Sequence, residues 1–179
     1  MDLATVLLKE HSKRLTETII AYVNQDESRL DELVALVTGG KPILAQRASW
    51  PLSYVAIRNP DWIEKHLPSL ISLLKRTDLH QAVTRNIYRF LQEIDIPEEL
   101  EGKVAESAIR HIHDPRTPIA IKAFAITVLG NLCKKYPELA QEVRLLLEDE
   151  RLNESGAIKV RMRCVLKALD KLDKIKPGR

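Results

Sequence analysis

The sequence predicts an all-α fold, an α-α superhelix in the form of a right-handed solenoid, built from about four helical hairpins with capping helices at the N-terminus. Three observations carry this expectation: a composition suited to helix packing, an internal repeat, and a 3.6-residue apolar period inside each repeat copy. Hydrophobic residues make up 45% and charged residues 30% of the 179 positions, while aromatics reach only 4%. Leu, Ile, Val, Ala, Glu, Lys and Arg dominate, the residues that form helices and pack them on one another. A chain of this length buries most of the surface its unfolded form exposes, so neither a disulfide nor a metal is needed to hold it.

Four segments superimpose, beginning at Leu44, Val83, Ile121 and Val160, which are 39, 38 and 39 positions apart. Offsets 0, +4, +8 and +11 from these starts give Leu44, Ala48, Leu52 and Val55; Val83, Ile87, Leu91 and Ile94; Ile121, Ala125, Leu129 and Leu132; and Val160, Cys164, Ala168 and Lys171. Fifteen of the sixteen are apolar, where the 45% composition would give about seven, and the offsets trace one stripe of a helix. Leu172 can fill the place that Lys171 vacates.

A second apolar helix precedes each stripe, as a stack of hairpins requires. These partners run through Leu30, Leu33, Val34 and Val37; Leu67, Leu70, Ile71 and Leu74; Val104, Ala108, Ile109 and Ile112; and Leu139, Val143, Leu146 and Leu147. Pro60, Pro97 and Pro137, each followed by acid, mark helix starts, and Pro42 and Pro118 can open second helices in the same way. One domain over 1–179 is expected, with a cap at 1–25, repeats at 27–58, 60–95, 97–135 and 137–173, and a frayed tail at 174–179. Leu15, Ile19, Ile20 and Val23 form the apolar face of the cap, which would shield the open end of the stack.

The run Ile121-Lys122-x-x-Ala125-x-x-x-Leu129-Gly130-x-Leu132 resembles the second helix of a HEAT repeat, as does Val160-Arg161 opening the last copy. Asp78 and Asp114 stand in turns where that family often carries Asp, and Pro68 is similar to its kinked first helix. Repeat one departs from the pattern, with Ala45 for the family's Arg or Lys and Gly39-Gly40 for its turn Asp; repeat two has Thr84 in place of the basic residue. The resemblance covers roughly residues 27–173, and it implies the fold more sharply than any function.

The residues mark no chemistry that a catalyst would need. No phosphate-cradling glycine loop, nucleophile elbow, metalloprotease helix or zinc-type cysteine pair occurs, and no catalytic residue, cofactor or metal is assigned. His111-x-His113-Asp114 comes nearest to a metal cluster, but residues two apart on a helix point in different directions. Cys133 and Cys164 lie inside helical patterns, as in a reducing compartment, and the N-terminal run has neither the charge nor the length of a leader or a span. A cytoplasmic protein without a membrane partner is expected, as a monomer or a weak homodimer. The formal charge of +3 separates no class of partner.

In stacked hairpins the second helices line the concave face. At about 100° per residue, the positions opposite the buried stripe fall at +2, +6, +9 and +13. These are Gln46, Trp50, Ser53 and Ile57; Arg85, Arg89, Gln92 and Ile96; Ala123, Thr127, Gly130 and Lys134; and Met162, Leu166, Leu169 and Asp173. Gln46, Trp50, Arg85, Arg89, Gln92, Thr127 and Lys134 are the candidate binding residues, and Trp50 beside two arginines has the composition of a binding hot spot. Arg47 and Arg58 could widen a basic patch or pair with acids. The sequence expectation is a non-enzymatic interaction scaffold holding a protein or peptide segment in this groove. The alternative is nucleic-acid binding, since the resemblance extends to HEAT-like DNA glycosylases that act on alkylated bases; against it, no acid falls at a central groove position.

Overall fold

The structure, a computed structural model, describes residues 1–39, 41–148 and 155–175. Every regular element among them is helical, and no helix there is long and apolar enough to cross a membrane. The chain divides into two compact units, Met1–Leu100 and Glu101–Arg179.

The first unit opens with a helix pair, α1 (Leu3–Lys9) and α2 (Lys13–Val23). Each starts where a side-chain oxygen accepts an otherwise unpaired backbone N–H: Asp2 from Thr5 at 3.1 Å and Ser12 from Leu15 at 3.1 Å. Leu3, Leu7, Ile19, Ile20 and Val23 are buried, while Leu15 is only partly so. The hairpin α3 (Ser28–Thr38) and α4 (Pro42–Arg58) follows, and its core is the stripe read from sequence: Leu30, Leu33, Val34 and Val37 with Leu44, Ala48, Leu52 and Val55.

In the next hairpin the first helix is broken into α5 (Pro60–Glu64) and α6 (Leu67–Ser72), the latter running on as a 3-10 turn, Leu73–Lys75. Pro68 sits in the first turn of α6, where a residue without an N–H is tolerated; in mid-helix it would remove a ladder bond and clash with the preceding turn. The second helix, α7 (Gln81–Leu91), lies beside α4. Asn86 Nδ2 donates to Ser49 Oγ at 2.9 Å, and an Arg89 N–H donates to the Tyr54 hydroxyl at 2.7 Å. Later residues of one helix meet later residues of the other, so the two run parallel.

Helix α8 (Glu98–His113) begins at the end of the first unit and runs into the second; it buries Leu100, Val104, Ala108 and Ile112, one every four residues, and α9 (Ile119–Lys135) follows. A 3-10 turn (Pro137–Leu139), α10 (Ala140–Leu147) and α11 (Gly156–Ile175) complete the described residues. Backbone of the expected tail thus continues α11 as far as Ile175; residues 176–179 lie outside the described residues. The turn aspartates are held by arginines two residues away: Asp78 by Arg76, and Asp114 by the side chain and backbone N–H of Arg116. Those bonds hold the Asp114 carboxyl at about 2.

The apolar stripe of α11 differs from the sequence expectation. Ile158, Met162, Val165 and Leu169 are buried, whereas Val160 is 54% exposed and Cys164 and Lys171 are also exposed. The side that faces the core is therefore nearly opposite the one expected, and Met162 and Leu169 belong to it rather than to a binding face. The helix begins beyond Ser155, whose hydroxyl accepts the Ile158 N–H at 3.2 Å.

Glu101 is a buried acid, 6% exposed. It accepts Lys135 Nζ at 2.8 Å and the Tyr136 hydroxyl at 2.5 Å, tying the start of α8 to the end of α9. Burial raises its carboxyl, but the two hydrogen bonds and the ammonium charge outweigh it, leaving the group below its ordinary value of 4.5. Its extra stability is therefore complete above about pH 4.5 and is lost as pH falls through the lower folded value. Glu101→Gln is expected to cost about 1–2 kcal/mol at pH 7, read by urea unfolding, with the gap to wild type closing toward pH 3. A gap unchanged between the two pH values would contradict the assignment.

Candidate functional site

The candidate residues fall on both units: Gln46, Trp50, Arg85, Arg89 and Gln92 on the first, Thr127 and Lys134 on the second. The first five share two adjacent helices, α4 and α7, and their placement starts from an irregularity in α4. Pro51 lies inside that helix and has no N–H to give to the preceding turn. Two hydroxyls bond carbonyls in this stretch, Ser49 to Gln46 and Ser53 to Trp50, both at 2.8 Å. Helix α4 continues through the proline, with Trp50 on its outer side.

Trp50 is partly exposed and meets the ring of His11, from the α1–α2 connection, edge to face with centroids 5.4 Å apart. Arg89 lays its guanidinium over the Tyr54 ring, 4.2 Å from the centroid. Together with the bond to the Tyr54 hydroxyl, this fixes a long side chain that would otherwise sample many rotamers. Arg85 is exposed and has no ion-pair partner among the described residues. Gln46 is partly buried, and Gln92 donates to the Arg89 carbonyl at 3.1 Å. Ile43, 41% exposed, extends this strip toward the start of α4.

The groove positions expected from sequence are not all open. Ser53 and Ile96 on the first unit, and Ala123 on the second, are buried and line no open face, and Gly130 is buried in the wall of a cleft on the second unit. Arg47 pairs with no acid among the described residues; it keeps its charge and donates to the carbonyls of Leu7 at 2.7 Å and Leu8 at 3.0 Å, filling acceptors at the C-terminal end of α1. Arg58 is exposed. Conversely, Tyr54 had no place in the angular count although it organises Arg89. Its signal was its position, four residues beyond Trp50 on the same helical face.

On the second unit, Thr127 and Lys134 border a cleft of about 130 Å³ between α9 and α11, together with Asn131, Arg161 and Cys164. The Thr127 hydroxyl donates to the Ala123 carbonyl at 3.1 Å, and Lys134 Nζ to Asn131 Oδ1 at 2.9 Å. Of the two histidines considered for metal, His111 is otherwise engaged: its Nδ1 lies 2.8 Å from the Ser107 carbonyl, and burial lowers the affinity of its ring for a proton. Among the described residues no three His, Cys, Asp or Glu side chains gather as a metal site would need.

Helical hairpins whose second helices pack side by side within each unit, with a proline break in a first helix and arginine-held aspartates in the turns, define an α-helical repeat protein. The chain belongs to the HEAT repeat domain family, whose model matches residues 3–169. Neither curated proteins nor solved structures gave a match.

Proposed function

We propose that this protein is a non-enzymatic scaffold that holds a peptide segment of a partner protein along the α4–α7 strip. HEAT repeat domains serve generally as protein-interaction scaffolds. The observation that carries the finer reading is the array of Trp50, Tyr54 and Arg89, in which a guanidinium is already pinned on a ring near Arg85, which has no ion-pair partner among the described residues. Pre-ordered aromatic and arginine side chains lose little entropy on binding and concentrate affinity at a few positions. Apolar Ile43 and Trp50 would take the hydrophobic side chains of such a segment, and Arg85 its acids.

Selection of random 12-residue peptides on the whole protein, with counter-selection on Trp50→Ala/Arg89→Ala, tests this reading. The expected result is a family of acidic, apolar-rich sequences whose affinity falls about 30-fold or more on Trp50→Ala, equivalent to roughly 2 kcal/mol. Titration with labelled single- and double-stranded DNA at low and moderate salt supplies the other arm. DNA binding that falls steeply with salt and needs Arg85 and Arg89, with no peptide enriched, would replace the peptide reading by the nucleic-acid one.

A further inference from the structure

The α9–α11 cleft of the second unit has features that the strip on the first unit lacks. It is concave, its lining includes Arg161 and Lys134, and no carboxylate is among its lining residues, in a chain holding 25 acids. Gly130 lies in its wall, where a Cβ would stand 2.7 Å from Val165 Cγ2, so the glycine lets α11 approach α9 closely enough to form the cleft. Arg161 is partly buried, and among the described residues nothing pairs with it. Lys134 is steadied by its bond to Asn131.

We infer that this cleft is a binding site for a carboxylate side chain of an acidic segment in a partner protein. The two cations divide the work by their chemistry. A guanidinium offers parallel N–H donors that match both oxygens of a carboxylate, and partial burial at Arg161 strengthens that pairing over an exposed one. The ammonium of Lys134 is a compact point charge at the rim, suited to attraction more than to geometry. About 130 Å³ admits one or two acidic side chains and is too small for a drug-sized ligand, for which sites run to roughly 300–1,000 Å³. This site rests on the scaffold reading for the nature of its partner, but it uses different residues from the strip.

Cys164 provides a local reporter. It is exposed and lines the cleft, whereas Cys133 is buried and its thiol is pushed up to about 11 by that burial, which keeps it neutral and unreactive. The whole protein would be alkylated with iodoacetamide and followed by mass spectrometry. The competitors are the peptide Glu-Glu-Gly-Glu-Glu, the matching Gln-Gln-Gly-Gln-Gln, and single-stranded DNA of equal charge.

The expected result is at least fivefold slower alkylation of Cys164 with the acidic peptide, no protection by the glutamine peptide, and loss of protection in Arg161→Ala and Lys134→Ala. Arg161→Lys should restore only part of it, because the ammonium lacks the fork. Trp50→Ala should leave it unchanged, so that failure of the strip and failure of the cleft are seen separately. Equal protection by DNA, or protection by the acidic peptide that survives Arg161→Ala, overturns the inference, as does absence of protection at low salt.

Discussion

Replacing Leu169 by Asp should destabilise the protein by more than about 3 kcal/mol, whereas Val160→Asp should change stability by less than about 0.5 kcal/mol. The contrast follows from the side of α11 that faces the core. Leu169 is 0% exposed and Val160 is 54% exposed, although the repeat pattern assigns Val160 to the apolar stripe and Leu169 to the open face. A buried aspartate loses its hydration without gaining a partner, and the site also loses the packing of a leucine. The exposed position keeps its water and asks nothing of its neighbours. Urea unfolding of both variants checks this, and reversed or equal effects would show that α11 packs in the register implied by the repeat.

Gly130→Val should cost about 2–3 kcal/mol. A Cβ at this position would meet Val165 Cγ2 at 2.7 Å and Cγ1 at 3.0 Å, well inside the roughly 3.5–4.0 Å at which carbon atoms attract. Val165 cannot readily turn aside, because a β-branched residue in a helix holds essentially one rotamer. The gain in helix propensity on leaving glycine is under about 1 kcal/mol and does not offset the overlap. Adding Val165→Ala should return at least half of the lost stability. If Gly130→Val alone unfolds at the same urea concentration as wild type, the close approach of α9 and α11 is not as described.

Both experiments bear on the candidate sites. Gly130 and Val165 line the cleft, and the stripe of α11 decides that Arg161 and Cys164, rather than Met162 and Leu169, border it. A stable Leu169→Asp would therefore undercut the carboxylate site as well as the fold.

What the sequence determined by itself is the set of helices, their pairing into hairpins, and one buried stripe on each of α4, α7 and α9. Leu44, Ala48, Leu52 and Val55 are all buried, as are Val83, Ile87 and Leu91, because a 3.6-residue apolar period encodes one burial direction along a helix, whereas Ile94, the expected fourth member of the second stripe, lies beyond the end of α7 and is only partly buried. Proline at helix starts was equally legible: Pro42 and Pro60 open α4 and α5. Trp50, Arg85 and Arg89 stand away from that stripe, Arg85 exposed and the other two partly so.

Only the tertiary structure decided which second flank of each helix is covered. Where α4 meets α7 and α9 meets α11, the contacts run through Ser49 and Gly130, small residues that hydropathy reads as neutral and that close packing requires. Helix α11 carries apolar residues on nearly opposite sides, Ile158, Met162, Val165 and Leu169 on one and Val160, Cys164 and Ala168 on the other, so its period has two solutions and the neighbouring helices choose between them. The partners of Arg47 and Arg89 were hidden for a related reason. A carbonyl 40 positions away and a tyrosine 35 positions away leave no local pattern, because a long cationic side chain pairs with whatever the packed chain brings within its reach.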